Sequence, residues 1–278
     1  MKKFLIRTAT GAIFVAILIS SIIYGKESFK YLFALITAFS VNEFCDLISE
    51  YKKTTFKKWL AVIGGFFLFM CTNLACQTTH ASTLLCFAPY MAIVVYAFIG
   101  QLFDTKGKAL DNFAYFTLSQ VYAALPFALL NVLATAGTTW PETYNFILPL
   151  SIFIFIWCND SGAFCFGCTL GRHKMFERIS PKKTWEGFAG GALVAVAAGY
   201  VISLYFTVMN TWQWMCMAAV VVAAATLGDL IESSMKREMK IKDSGKMLPG
   251  HGGVLDRFDS TLLAVPCVII YLAFIGIL

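Results

Sequence analysis

Charged residues are scarce in this chain of 278 residues, in which Asp, Glu, Lys and Arg together make up 14%. An ordinary soluble protein carries roughly 25%. Hydrophobic residues account for 59%, and the mean hydropathy is +0.72. So few charges cannot cover a soluble globule of this size, and the composition also excludes a disordered chain, a coiled coil and a secreted disulfide scaffold. We therefore predict a polytopic membrane protein.

A metal-binding pattern of Cys and His is also missing. The nine cysteines lie mostly within apolar runs. Cys165 and Cys168 form a CxxC pair, but no second Cys or His pair at zinc-ligand spacing accompanies it. We therefore interpret the cysteines as small buried hydrophobic residues rather than as zinc ligands or a redox centre.

Nine apolar segments reach the length of about 20 residues that a membrane-spanning helix needs. They cover residues 8–24, 29–48, 59–77, 82–103, 112–133, 143–165, 187–207, 212–232 and 259–278. The first segment follows two lysines as a signal peptide would, but no small-x-small cleavage site follows Ile23, so we interpret it as a span. The predicted fold class is an all-α polytopic membrane protein with about nine transmembrane helices.

The basic residues indicate how these nine spans are oriented. Of the 22 Lys and Arg residues, all but Lys26 and Lys30 fall on the side that holds the N-terminus. The positive-inside rule then predicts a cytoplasmic N-terminus and a C-terminus outside. The net charge of +6 is thereby explained by topology, and we predict no nucleic-acid partner.

Loop length divides the chain at about residue 150. Residues 1–150 hold spans one to five and the start of span six, and their loops are short. Residues 151–278 include two long polar loops, 166–186 and 233–258, which are cytoplasmic in this topology. Function concentrates in such loops, so we predict that residues 151–278 form the catalytic region.

A polar stripe marks the end of span eight. Asp229, Ser233, Lys236 and Lys240 follow one another at helical spacing and share one face. An acid at the membrane boundary with a hydroxyl and two cations beyond it resembles a surface for metal and phosphate. A contact between Asp229 and Lys236 that ties down the helix end explains the same pattern.

By contrast, we interpret Glu43 and Asp46, near the end of span two, as helix capping or packing polarity.

Two more acids, Asp256 and Asp259, share a face at the start of span nine. Capping of the helix N-terminus explains them on their own. Since spans eight and nine are consecutive and antiparallel, however, Asp229 and Asp256 are expected at similar depth, where carboxylates repel unless a cation joins them. Oxygen ligands without a thiolate or imidazole cluster favour Mg²⁺, so we predict that Asp229 and Asp256 share a metal centre.

The segment Pro249-Gly250-His251-Gly252-Gly253 lies between these acids. Glycine permits positive φ angles and lets backbone N–H groups turn inward, which suits an anion-binding nest as well as a plain turn. His251 fits a metal ligand, an acid–base group or a turn residue. We favour phosphate contact or loop structure over metal ligation.

A second polar constellation begins at Asp160, inside span six. An intramembrane acid is a functional-site hypothesis by default, because its burial is costly. Residues 180–187 then place hydroxyl groups, two lysines, an aromatic ring and an acid at a helix start, which predicts a phosphate-binding turn. The basic residues of this loop suit an anionic lipid headgroup or a polyphosphate.

One long motif resembles the signature of a known family, the phosphatidate cytidylyltransferases or CDP-diacylglycerol synthases. The motif reads Ser233-x-x-Lys236-Arg237-x4-Lys242-Asp243-x4-Leu248-Pro249-Gly250-His251-Gly252-Gly253-x2-Asp256-Arg257-x-Asp259. The stretches Asp160-Ser-Gly-Ala-Phe164 and Ile179-Ser-Pro-Lys-Lys-Thr-Trp-Glu-Gly187 are also similar to that family. Cys168 departs from it, because a basic or other non-thiol residue is expected there.

The resemblance implies a nucleotidyltransferase of phospholipid biosynthesis, which converts CTP and phosphatidic acid to CDP-diacylglycerol and pyrophosphate with Mg²⁺. The enzyme would lie in the lipid bilayer of the bacterial inner membrane with its active site facing the cytoplasm. Its oligomeric state is open, and a homodimer is one option.

The resemblance also implies site residues. The implied metal ligands are Asp229 and Asp256, with Asp160 as an additional candidate and Asp259 as a further ligand or a supporting group. Phosphates would be held by Ser233, Lys236, Arg237, Lys242 and His251, with Gly252 and Gly253 forming the nest. Ser180, Lys182 and Lys183 would contact the nucleotide or the lipid headgroup.

Three other functions would use some of the same residues. An ion-coupled transporter would use Asp160 and Asp229 as a relay, but it leaves the loop of Lys, Gly and His residues unexplained. A CDP-alcohol phosphatidyltransferase would carry the pattern Asp-Gly-x2-Ala-Arg, which is absent. A related cytidylyltransferase acting on another lipid phosphate stays open.

Overall fold

The computed structural model describes residues 2–52, 57–78, 83–103, 109–137, 144–241, 243–245 and 252–278, and for residues 2–7 the backbone alone. Its helices are α1 (Lys2–Tyr24), α2 (Lys26–Lys52), α3 (Lys58–Ala75), α4 (Thr83–Cys86), α5 (Ala88–Leu102), α6 (Ala109–Leu118), a π-helical segment (Ser119–Ala124), α7 (Leu125–Leu133), α8 (Ile147–Leu170), α9 (Trp185–Tyr205), α10 (Thr211–Glu238) and α11 (Leu255–Phe274). The prediction of a nearly all-helical chain is therefore confirmed.

In the part of the chain that the structure describes, seven helices are long and apolar enough to cross a membrane. They are α2, α3, the continuous helix Ala109–Leu133, α8, α9, α10 and α11. Shorter apolar helices cover Thr8–Tyr24 and Ala88–Leu102. Every predicted span thus overlaps helical structure, while the count of nine spans and the sides of the termini stay predictions.

The chain forms two compact units. The first comprises Met1–Tyr144 and Asp243–Arg257, and the second comprises Asn145–Lys242 and Phe258–Leu278. Residues 243–257, which the sequence analysis groups with residues 151–278, therefore cluster with helices from the first half of the chain. The functional division at residue 150 stays a prediction.

In the first unit, α3 packs against α2 and against the helix formed by the π-helical segment and α7. Buried amide side chains join these helices: Asn73 donates to the side chain of Asn131 (2.9 Å), and Gln120 donates to the carbonyl of Ala61 (3.0 Å). Such interhelical hydrogen bonds hold helices together in lipid, where apolar surface alone gives little preference. The π-helical segment precedes Pro126, whose missing N–H interrupts the regular helical ladder.

In the second unit, α8, α9 and α10 pack against one another. Glycines on α9 permit a close approach to α8, since a Cβ on Gly191 would lie 2.5 Å from the side-chain oxygen of Asn159. Small residues have this role in many membrane helix pairs. The later part of α11 joins the same unit through Tyr271, whose hydroxyl donates to the carbonyl of Gln213 at 2.8 Å.

A two-stranded antiparallel hairpin stands where the sequence analysis predicts a long loop, 166–186. Strand β1 (Lys174–Phe176) pairs with β2 (Ser180–Thr184), while α8 continues to Leu170 and α9 begins at Trp185. The strands have only three and five residues, too few for the alternation of apolar residues by which sequence reasoning recognises a strand. Its strands are the only two β-strands among the described residues.

Candidate functional site

A pocket in the second unit brings together several of the predicted site residues. It encloses about 200 Å³ and is lined by residues of α8, the hairpin, α9, α10 and α11. Its polar lining comprises Asn159, Asp160, Lys182, Lys183, Thr184, Thr226, Asp229 and Ser260, and its apolar lining includes Ala163, Phe164, Met175, Phe188 and Ala225. Such a lining suits a ligand that combines phosphate groups with an apolar part.

An ion pair between Lys183 and Asp229 lies in this pocket, with 2.6 Å between Nζ and Oδ2. Both side chains are half-buried, so salt screens the pair less than it would on an open surface. Ser233, one turn further along α10, donates from its hydroxyl to Oδ1 of Asp229 (3.2 Å). The acid is therefore held by a lysine from the hairpin and by a hydroxyl on its own helix.

The hairpin that supplies Lys183 is fixed at both ends. At its entry, the Glu186 carboxylate accepts hydrogen bonds from the backbone N–H groups of Arg172 (3.1 Å) and His173 (3.2 Å). At its exit, Thr184 caps α9 by accepting from the N–H of Gly187 (3.1 Å). The predicted phosphate-binding turn is thus a short strand followed by a capped helix start.

The other predicted headgroup contacts of this region take different positions. Lys182 is exposed and lines the pocket, whereas Ser180 is half-buried at the start of β2 and is not among the lining residues. Arg237, at the end of α10, donates to the carbonyl of Ile179 in the hairpin turn (3.4 Å). Arg237 therefore links α10 to the hairpin.

Lys236 does not pair with Asp229, the partner considered for it in the sequence analysis. It forms an ion pair with Glu232 (3.1 Å), whose side chain is 1% exposed, while Asp229 pairs with Lys183. Asp259 is half-buried in the same unit. Its carboxyl group interacts electrostatically with Asp229, Glu232 and Lys236. The proposed tie between Asp229 and Lys236 at the helix end is therefore replaced by two separate ion pairs.

The carboxylates of the second unit are the groups to compare with the predicted Mg²⁺ site. Among the residues that the structure describes, no three or more His, Cys, Asp and Glu side chains form a group that could hold a metal ion by themselves. Mg²⁺, however, is usually held by one or two carboxylates together with substrate phosphates and water. Asp160 and Asp229 line the same pocket and could each offer a carboxylate oxygen, whereas Asp259 is not among the residues that line it.

In the first unit, Asp256 accepts hydrogen bonds from the backbone. The N–H of Ser244 donates to its two oxygens (3.0 and 2.9 Å), and the N–H of Gly253 donates to Oδ2 (2.9 Å). Gly252 has a φ of +83°, and a Cβ there would lie 2.7 Å from Oδ2 of Asp256. Glycine fits this position because it adopts a positive φ without strain and has no Cβ to collide with the carboxylate. Both donors precede α11, which begins at Leu255, so Asp256 holds the backbone ahead of the helix, and its capping of the helix itself stays an interpretation.

Two predicted residues of this segment, Lys242 and His251, lie outside the described residues. Asp229 and Asp256 belong to different units, so their sharing of one metal ion stays a prediction.

The structure adds Glu43 to the segment around Asp256. Glu43 lies on α2 and is 5% exposed, and its Oε2 accepts a hydrogen bond from the backbone N–H of Leu255 (2.8 Å). The sequence analysis interprets this acid as capping or packing polarity, because nothing in the pattern links residue 43 to residue 255. The available signal was its position as an acid within an apolar span, which is a functional hypothesis by default.

Comparison with known proteins gives a consistent result. Residues 5–275 match the model of the Cytidylyltransferase family. The chain is similar to proteins named phosphatidate cytidylyltransferase from Staphylococcus epidermidis, at 44% identity over 124 residues, and from Staphylococcus haemolyticus and Staphylococcus aureus, at 42% over 125 residues. Each alignment covers 44% of this chain and 48% of the relative. The chain thus spans about half the length of the curated relatives that it matches.

Proposed function

Because the chain belongs to the Cytidylyltransferase family, we propose that it is a phosphatidate cytidylyltransferase. It would convert CTP and phosphatidic acid to CDP-diacylglycerol and pyrophosphate in phospholipid biosynthesis, in keeping with the name of its staphylococcal relatives, phosphatidate cytidylyltransferase. The family match and the motif that ends at Asp259 favour this reaction over an ion-coupled transporter. The assay described below tests whether another lipid phosphate, rather than phosphatidic acid, is the acceptor.

The observation that carries the proposal is the pairing of Lys183 with Asp229 in a pocket that also has an apolar lining. Phosphatidic acid joins an anionic phosphate to apolar acyl chains, so both kinds of surface are needed in one place. Phe164 is 72% exposed and lines the pocket together with Phe188. These rings offer apolar surface beside the charged groups.

The chemistry requires little acid–base assistance from the protein. A phosphate oxygen of phosphatidic acid attacks the α-phosphorus of CTP, the bond from that phosphorus to the bridging oxygen of the β-phosphate breaks, and pyrophosphate leaves. The second pKa of a phosphate monoester is about 6, so the nucleophile is already largely ionised at neutral pH. The main obstacle is repulsion between two anions, and catalysis depends on positioning and charge neutralisation.

Lysines of the pocket can reduce that repulsion. Lys183 and Lys182 approach the pocket from the hairpin, and we assign them to the phosphates of the nucleotide or the lipid headgroup, with Ser180 nearby on the strand. Ser233, Lys236 and Arg237 on α10 are assigned to phosphate by similarity to the family motif. Lys242, His251, Gly252 and Gly253 are assigned to phosphate on the same ground.

Mg²⁺ is the proposed cofactor. Asp229 and Asp259 would hold it in the second unit, and Asp160 is an additional candidate. Asp256 keeps the ligand role that the family motif implies. The bound ion would neutralise charge on the triphosphate and on the leaving pyrophosphate.

The direct test is release of pyrophosphate from CTP by the purified full chain in detergent. We expect release that requires both phosphatidic acid and Mg²⁺, and formation of CDP-diacylglycerol in equal amount. Diacylglycerol, which lacks the phosphate, should give no product. A higher rate with a prenyl or ether-lipid phosphate would assign the chain to a related acceptor. No release with any lipid phosphate would contradict the proposal.

The proposed topology places the hairpin in the cytoplasm, where CTP is available. The distribution of Lys and Arg supports this orientation. The exposed Glu177 in the hairpin turn offers a test by Glu177→Cys in a cysteine-depleted chain. An impermeant thiol reagent should label this cysteine in inverted membrane vesicles and not in intact cells. Labelling in intact cells would contradict the orientation.

A further inference from the structure

Glu43 makes a contact across a long sequence distance within the first unit. Its carboxylate, on α2, accepts a hydrogen bond from the N–H of Leu255, 212 residues later in the chain. The side chain is buried, and a buried carboxylate is costly unless polar partners satisfy it. A position near the N-terminus of α11 provides such partners, because free backbone N–H groups and the positive end of the helix dipole lie there.

Two glycines leave the space that this carboxylate occupies. A Cβ on Gly253 would lie 2.5 Å from Oε2 of Glu43, and a Cβ on Gly245 would also overlap its carboxylate. The carboxylate therefore touches the segment on both sides of residues 246–251. A glutamate that served only the packing of α2 would not require glycine at two positions of a distant segment.

The same two flanks are also held by Asp256. Its carboxylate accepts from the N–H groups of Ser244 and Gly253, while Glu43 accepts from Leu255. One acid from α2 and one from α11 thus fix the backbone on either side of residues 246–251. Asp256 takes part in the proposed reaction, but Glu43 lies outside the motif by which the family was recognised.

We infer that Glu43 is a positioning residue of this enzyme, which acts by holding the described backbone at 243–245 and 252–257, and with it Gly252, Gly253 and Asp256, in place. The inference rests on the proposed function for its effect on turnover. The anchoring itself does not rest on the proposed function, because protection of the N–H groups of Ser244, Gly253 and Leu255 is measurable without any substrate.

The experiment compares three variants of the full chain in detergent. Glu43→Ala removes the acceptor, Glu43→Gln keeps one acceptor oxygen without the charge, and Asp46→Asn is the matched control. Asp46 lies one turn further along α2, is exposed and pairs with Lys58. Hydrogen–deuterium exchange of the peptide covering 243–257 measures the anchoring, and kcat and KM for CTP measure its consequence.

We expect Glu43→Ala to speed exchange at the anchored amides by tenfold or more and to lower kcat/KM for CTP by a similar factor, with Glu43→Gln intermediate. Asp46→Asn should change neither. Unchanged exchange in Glu43→Gln and Glu43→Ala would overturn the inference, as would unchanged kcat/KM in a chain whose segment has loosened. If Glu43→Ala does not fold, Glu43→Gln decides. A wild-type chain that shows protected amides and no cytidylyl transfer would refute the proposed function and leave the anchoring intact.

Discussion

The two units hold their acids in different ways. In the second unit, Asp229 is paired with a side chain, Lys183, at 2.6 Å. In the first unit, Asp256 is bound by backbone N–H groups of Ser244 and Gly253. A lysine side chain has rotatable bonds and can exchange its carboxylate for a phosphate, whereas backbone N–H groups move only when the chain itself moves. Asp229 is therefore suited to a site whose charges rearrange when substrate binds, and Asp256 to a fixed framework.

The largest expected effect separates these two acids directly. Asp229→Asn should lower kcat roughly a hundredfold to a thousandfold, the size of loss seen when a group that stabilises transition-state charge is removed. Because its partner is a side chain, backbone exchange at 243–257 should stay unchanged. Asp256→Asn should lower kcat and also speed exchange at Ser244 and Gly253. Identical exchange profiles for the two variants would remove the distinction. Pyrophosphate release and hydrogen–deuterium exchange are the measurements.

A smaller loss is expected from Lys183→Gln. A hydrogen bond to a charged group contributes about 1.5–3 kcal/mol, so kcat/KM should fall about tenfold to a hundredfold. Lys174→Gln is the matched control, because Lys174 lies on the paired strand, is exposed and does not line the pocket. A similar loss in both variants would show that general positive charge, rather than the pocket position of Lys183, supports the reaction.

The next change tests whether Lys236 has a role beyond its pair with Glu232. Lys236→Gln should lower kcat/KM about tenfold if it meets a phosphate. It should also destabilise the chain by about 3–5 kcal/mol, because the buried Glu232 loses its cation. Adding Glu232→Gln should restore the thermal unfolding temperature and leave kcat/KM low. Recovery of both quantities in the double variant would assign Lys236 to stability alone.

The smallest effect is expected from a single methyl group. Gly253→Ala places a Cβ 2.5 Å from Oε2 of Glu43 and 2.7 Å from the hydroxyl of Ser244, so the segment must shift and kcat/KM should fall a few-fold. Gly100→Ala is the control, since nothing lies within 4 Å of a Cβ there. It lies within α5, where alanine should be neutral or stabilising by up to about 1 kcal/mol. Equal activity in the two variants would mean that the contact with Glu43 is not required.

The helical fold was predictable because its cause is local. Long apolar runs such as residues 187–207 specify membrane helices by length and composition alone, and the helix found there begins at Trp185 and ends at Tyr205. The hairpin was not predictable by the same reasoning. Its entry is held by hydrogen bonds from the N–H groups of Arg172 and His173 to Glu186, which no periodicity records.

The site residues also differ in whether local sequence or a distant contact identifies them. Asp160, Lys183 and Asp229 were selected from sequence because an acid in an apolar span and lysines at a helix start are unusual in themselves, and the structure gathers these three in one pocket. The partner of Asp229 was not predictable, since Lys183 and Lys236 were both available cations. Glu43 was assigned to packing, because its contact joins residues 212 positions apart and pattern reasoning works over one or two helical turns.

The separation of Glu43 and Leu255 along the sequence also affects the order in which the chain can fold during synthesis. A ribosome adds roughly 5–20 residues per second, so the sequence separation of 212 residues corresponds to about 10 to 40 seconds of synthesis. During that interval α2 already exists, while the N–H that will satisfy its carboxylate does not. The first unit cannot be completed until residues 145–242, which belong to the second unit, have emerged. The hydrogen bond from Leu255 to Glu43 can therefore form only late, which sets an order on assembly of the protein in the membrane.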